Sequence, residues 1–377
     1  MNNNKIKTFL SNNIVPIVFI VLIGLAIPLT GFSADYLIQQ IISRLVRNSF
    51  LVLALLIPVI AGMGLNFAIV LGAMAGQFGL IMFTNYGITG FEGFFLAMIL
   101  SIPISIGLGI FGGHVLNRAK GKEMITSLIL GYFMTGVYQI IVLFTLGKLI
   151  PITNNKILLP RGYGIRNAID LLGIRQVMDR FGSFSIGNID IPVGTFILIA
   201  LLCLFIVWFR RTKLGQDMRA IGQDPEIAKA SGIAVDKTRV IAIVISTVLA
   251  GLGQIIYLQN IGTMNTYNSH EQIGLFSVAA ILVGGASVKR ASIPNAIVGV
   301  ILFHMMFIVS PRAGKELFGD AQIGEYFRSF VAYGVIAVAL ALYEWRRNKE
   351  KRDRIRKLYD PKDKKTQNIN CPAREVG

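Results

Sequence analysis

The side chains best suited to chemistry are few, and their surroundings limit what they can do. The histidines are His114, His270 and His304, and the cysteines are Cys203 and Cys371. His114 and His304 stand in apolar stretches without a carboxylate or second histidine at helical spacing, so neither a metal pair nor a proton relay is expected. His270 stands beside Glu271 in what reads as an external loop. Cys203 lies in an apolar block and Cys371 in a basic tail, with no spacing for a disulfide framework, haem or zinc. No glycine-rich loop followed by Lys and Ser or Thr occurs, so the chain is not expected to bind and hydrolyse a nucleotide by itself. The sequence therefore predicts no catalytic residue, no metal site and no enzyme.

One connection carries more pattern than the rest. Residues 210–239 read RRTKLGQDMRAIGQDPEIAKASGIAVDKTR. Asp224 suits a helix N-cap, Pro225 the first helical position and Gly232 the left-handed C-terminal position, which predicts a helix of about two turns. On it Ile227, Ala230 and Ser231 share one face, while Glu226 and Lys229 pair on another and Ala228 lies between. A short capped helix with a small apolar face suits a groove in a soluble partner.

The elements that must carry this loop are set by composition. In 377 residues, 54% are apolar and only 15% charged, too little polar surface for soluble domains of this length. The apolar residues fall in blocks near the length needed to cross about 30 Å of hydrocarbon. They predict an all-α integral membrane protein of about ten transmembrane helices, at 14–32, 49–64, 67–83, 93–116, 124–147, 191–209, 238–259, 273–288, 291–310 and 325–344. Pro58, Gly62, Gly64, Gly72, Gly76 and Gly79 interrupt the second and third, the mark of a broken helix inside a protein-lined cavity. Residues 14–32 are too long for a signal-peptide core and read as a retained span.

Charge sets the orientation. The net charge of +17 comes from Lys and Arg in the connections and tail, not from a stripe interleaved with aromatics, so no nucleic-acid partner is expected. An even number of spans with basic segments 1–13, 117–123, 210–239, 289–290 and 345–377 inside places both termini in the cytoplasm. The transmembrane domain is 1–344 and the tail 345–377 is basic and cytoplasmic, with Arg346, Arg347, Lys349, Lys351 and Arg352 facing anionic membrane lipids. The loop 148–190, with Gly162, Tyr163, Gly164 and a short helix near Ile169 to Arg180, reads as an ordered external cap. Glu92, Glu123, Glu271 and Glu325 fall at span ends as solvated carboxylates. Inside the spans the polar groups are uncharged, namely Asn66, Gln77, Gln139, Gln254 and Asn295. Each bridges helices or lines a hydrophilic path.

The segment GQDMRAIGQDPEIAKASGIAVDKTRVIAIVISTVLAGLGQ resembles the loop and following span of permease subunits in the ATP-binding-cassette importer family for branched-chain amino acids, ribose and other simple sugars, and nucleosides. Arg219, Ala220, Gly222, Ala228, Ser231, Gly232, Ile233, Ala250 and Gly251 carry the likeness. Downstream, Ala279 to Ser287 resembles the family's glycine pair at Gly284 and Gly285, and Gly64, Leu65, Asn66 and Gly72 resemble its early broken segment. The likeness covers roughly residues 50 to 345. It implies a type II importer-like permease in a bacterial plasma (inner) membrane, working with a cytoplasmic ATPase, an identical or related second permease and an extracellular substrate-binding protein. No cofactor is bound by this chain; ATP and Mg sit on the ATPase. Asp224, Pro225, Glu226, Ile227, Ala228, Lys229, Ala230, Ser231 and Gly232 would then form the coupling helix, and Asn66, Gln77, Gly284 and Gly285 belong to the translocation path. Val288 to Ile293 follow the glycine pair where sugar-importer relatives carry a second glycine-rich stretch, and Asn66, where many sugar permeases have an acidic residue, favours a nucleoside or unusual carbohydrate. The alternatives are a branched-chain amino acid permease or an ion-coupled secondary transporter.

Overall fold

The computed structural model describes residues 14–341 except 289, 321, 331, 332, 335, 336, 339 and 340, together with Arg352. Its helices, in order, are α1 (Ile14–Thr30), α2 (Ala34–Ala54), α3 (Leu56–Ile60), α4 (Ile69–Asn85), α5 (Gly90–Arg118), α6 (Glu123–Ile140), α7 (Val177–Arg180), α8 (Val193–Phe209), α9 (Lys213–Gln223), α10 (Pro225–Ala230), α11 (Val235–Ile261), α12 (Ser269–Val283) and α13 (Ile293–Phe318). Residues 322–330 are helical apart from any further label. Among the described residues, five helical stretches are long and apolar enough to cross a membrane, and six if α8 and α9, bent by 74°, count as one. Helices α1, α4 and α12 are shorter and apolar.

Helix α11 is the centre of the bundle. It packs most extensively on α5 and α4, and also on α2 and α3. Small residues permit that approach: a Cβ on Gly72 would sit 2.1 Å from the Thr247 carbonyl oxygen, and one on Gly76 would sit 2.5 Å from that of Gly251. In hydrocarbon such close backbone contact supplies the packing that apolar burial cannot. A second group, α13 with α1, α2 and α12, completes the bundle.

The boundaries differ from the hydropathy reading at three places. The second span does not begin at 49; α2 begins at Ala34, capped by Ser33 Oγ, which accepts from Tyr36 N at 3.3 Å. Gln39, Gln40, Ser43, Arg44, Arg47 and Asn48 depress the hydropathy of its first half, although they share a helix with the apolar half that follows. Two arginines therefore belong to a candidate span that the sequence reading left free of charge. The eighth span starts earlier, at Ser269, so His270 is in a helix and not in a loop. The ninth continues to Phe318 through Pro311. Between α3 and α4, residues 61–68 run without helix.

The segment 148–190 is ordered, but not as one helix. Strand β1 (Ala168–Asp170) leads to a 3-10 turn at Leu172–Ile174 and then to α7. Asp170 Oδ1 accepts from Leu172 N at 3.1 Å and so favours a turn over a continuing helix. Strands β2 (Phe184–Ile186) and β3 (Ile189–Ile191) form a hairpin, while β4 (Thr263–Asn265) follows α11 and pairs antiparallel with β1. Buried Asp179 accepts from Thr195 Oγ1 at 2.5 Å, Asn260 Nδ2 at 2.7 Å and Gln259 Nε2 at 3.2 Å, which ties the cap to the last turn of α11. The basic tail 345–377 lies outside the described residues apart from Arg352.

Candidate functional site

Helix α10 is built from its own neighbours. Asp224 Oδ1 accepts from Glu226 N at 2.9 Å and Ile227 N at 3.2 Å, Pro225 begins the helix, and Gly232 follows the Ser231 cap at φ +82°. Ala228 turns inward onto Ile221 and Val235, a small apolar cluster that fastens α10 to α9 and to the start of α11. Glu226, Ile227, Lys229, Ala230 and Ser231 are left exposed, and Ile227 is 66% exposed. An isoleucine held out on a capped helix offers a partner an apolar knob whose backbone is already ordered.

The loop end is braced against the bundle. Arg239 in α11 donates to Glu123 at the start of α6; the arginine is buried and the carboxylate partly so. Glu123 is thus no solvated span end, as the sequence had suggested. Lys120 and Asp236 make a second, exposed pair at 2.6 Å. Gly62 lies against Gly222 of α9 so closely that a Cβ would come within 2.7 Å of its Cα. Loop helices and the non-helical 61–68 segment are therefore one mechanical unit.

A shallow cleft opens between α4, α6 and α12, with Phe67, Val70, Tyr132, Thr135, Glu271 and Gly274 on its walls. Asn66 adjoins one end. Its Oδ1 accepts from Ala68 N at 2.9 Å, and Phe67 N donates to Ser127 Oγ at 3.1 Å, so a side chain on α6 holds the unwound backbone. The Asn66 amide nitrogen is buried without a partner. Gln77 is enclosed: its Oε1 accepts from His270 Nδ1 at 2.8 Å and its Nε2 donates to Ser269 Oγ at 2.5 Å. That pattern puts the imidazole proton on Nδ1 and leaves Nε2 as a buried acceptor beside the Tyr138 ring, 5.0 Å away between centroids.

The other polar groups of the spans have structural partners or none. Asn295 Nδ2 donates to the Gly284 carbonyl at 2.7 Å, and a Cβ on Gly284 would lie 1.9 Å from the Asn295 carbonyl oxygen, so Gly284 sets the α12–α13 approach. Gly285 takes φ +83° in the turn that ends α12. Gln139 Nε2 donates to Tyr267 O at 3.3 Å. Gln254 is fully buried with neither amide atom bonded. Of the sequence candidates, the structure keeps 224–232 together, sets Asn66 next to the cleft-lining Phe67, bonds Gln77 to Ser269 and His270, and puts Gly284 and Gly285 at a helix crossing. Sequence reasoning missed Tyr132, Thr135 and Glu271. The signal for α6 was a small and polar stripe, Ser127, Gly131, Thr135 and Tyr138, at helical spacing and buried.

This arrangement can be set beside known proteins. The pattern of the family described as branched-chain amino acid transport system, permease component, matches residues 37–340. The chain belongs to that family. Among relatives of this permease family, the nucleoside ABC transporter permease protein of Lactococcus lactis is 25% identical over 156 residues, 41% of this chain and 40% of the relative. The fructose import permease protein of Rhizobium meliloti is 25% identical over 181 residues, 47% of this chain and 48% of its own. The galactose/methyl galactoside import permease protein of Haemophilus influenzae is 30% identical over 165 residues, 43% and 45% respectively. The chain thus spans a little under half the length of these permeases. No solved structure matches. Several apolar helices and the family match together make the chain a multi-pass membrane permease.

Proposed function

We propose that this chain is the membrane subunit of an ATP-binding-cassette importer for a sugar or nucleoside, driven through α10. Two copies, or this chain and a related one, form the path; a cytoplasmic ATPase holds ATP and Mg; an extracellular protein delivers the solute. In this reading the chain crosses a bacterial inner membrane ten times, α1, α4, α12 and the helix from 322 included, with both termini cytoplasmic and the helix broken at 61–68. The relatives named for nucleosides, fructose and galactose support this solute class.

The observation that carries the reading is the capped α10 with Ile227 exposed and Ala228 anchored beneath it. Closure of the ATPase on ATP would push that helix. The solute would pass the α4–α6–α12 cleft, where the Tyr132 and Thr135 hydroxyls and the Glu271 carboxylate lie beside apolar walls, the mixture a neutral polyol or nucleoside calls for. Asn66, Gln77, Gly284 and Gly285 would belong to the same path in this reading. The test is co-purification of the detergent-solubilised chain with its ATPase, native against Ile227→Asp with Ala230→Asp. Loss of the complex with an unchanged melting curve is expected; retention of the ATPase by the double variant would refute docking through α10.

A further inference from the structure

Away from both regions, α2 carries Arg44 and Arg47 one turn apart on a helix of a candidate membrane span. Among the described residues neither has a carboxylate partner. Their Nε atoms are buried and unbonded. Arg47 lies over the Tyr257 ring, 5.4 Å from its centroid, and Arg328 lies 4.7 Å from that of Phe307. Glu325 pairs with Arg328, so it is not a partner for the α2 cations, which no carboxylate among the described residues compensates. His304 of α13 packs on Phe307 with its rings at 6.0 Å; it is 96% buried by its 4% exposure, and neither ring nitrogen is bonded. Helix α13, which carries His304, packs along α2.

Unpaired cations among membrane helices are costly unless something supplies the opposite charge, and they mark functional sites by default. Arg44 and Arg47 stand near the middle of the Ala34–Ile60 stretch, and Arg47 reaches along its side chain to Tyr257, one turn before α11 ends at Ile261. We propose that Arg44 and Arg47, with His304 as a hydrogen-bonding neighbour, bind a phosphate group at this α2–α11–α13 junction. Two guanidinium forks suit a phosphate's several oxygens. The group comes from an anionic lipid headgroup or from soluble phosphate, and the chemistry of the site is the same for both.

The test uses the full chain in nanodiscs of phosphatidylcholine, with or without phosphatidylglycerol, melted with inorganic phosphate or with chloride at equal ionic strength. The proposal expects a rise of several degrees, in the phosphatidylglycerol discs if the source is lipid and in phosphate buffer if it is soluble. Arg44→Gln with Arg47→Gln should lose the rise, and Arg44→Lys with Arg47→Lys should keep part of it. No rise for the native chain in either arm overturns the proposal, as does an equal rise in the Gln variant. Should the Gln variant fail to fold, native mass spectrometry of the native chain decides: a retained phosphatidylglycerol or phosphate supports the site, and neither retained overturns it.

Discussion

Helix α10 and the α4–α6–α12 cleft are held in opposite ways. In α10 every stabilising bond is local, since Asp224 caps residues two and three positions on. In the cleft the decisive bond, His270 to Gln77, joins residues 193 positions apart. The first region is ordered before a partner arrives and presents its apolar residue outward. The second turns polar atoms inward and leaves some without partners, among them Asn66 Nδ2 and His270 Nε2. A device that receives a push needs a fixed shape, whereas one that passes a solute needs groups still able to bond. The difference in bonding suits the two roles proposed for them.

The sharpest way to break this comparison is to cut the link between the regions. Glu123→Ala leaves the buried Arg239 guanidinium unpaired and should destabilise the protein by about 3–5 kcal/mol, read as a lowered denaturation midpoint. A change below about 1 kcal/mol, the range of exposed pairs, would mean that the loop end and α6 are not joined there. Next in size, Tyr132→Phe with Glu271→Gln should raise the KM for uptake about tenfold, the equivalent of one lost hydrogen bond of about 1.4 kcal/mol. ATPase co-purification should be unaffected. An unchanged KM would remove both side chains from the path. Smallest, Asp224→Ala should weaken α10 by about 1 kcal/mol and lower solute-stimulated ATP hydrolysis, with Asp224→Asn close to native. A shift in KM instead would show that α10 and the cleft are not separable.

The same contrast explains how much was legible. The α10 cap, proline and glycine fall within nine positions, and residue type alone dictates each conformation. Most helix ends were readable because the apolar blocks coincide with helices, although only five or six of these stretches, among the described residues, are long and apolar enough to count as spans. The start of α2 was not: Arg44 and Arg47 lower any hydropathy average, and only packing against Tyr257 and α13 explains their place in a helix. The cleft was legible in halves. Asn66 and Gln77 stood out as polar groups among glycines, and the α6 stripe had helical period. That His270 closes onto Gln77, or that Glu271 faces Tyr132 across the cleft, depends on helix pairing that one sequence does not encode at short range.

Helix α11 is unbroken over 27 residues, about 40 Å at 1.5 Å per residue. Ile221 and Ala228 grip its first turn at Val235, and Asp179 of the cap grips its last through Gln259 and Asn260. Such a helix behaves as a connecting rod with a fitting at each end. Tilt imposed at the α10 side is carried to the far cap without any relay of side-chain rearrangements, so the two faces of the bundle move on one clock.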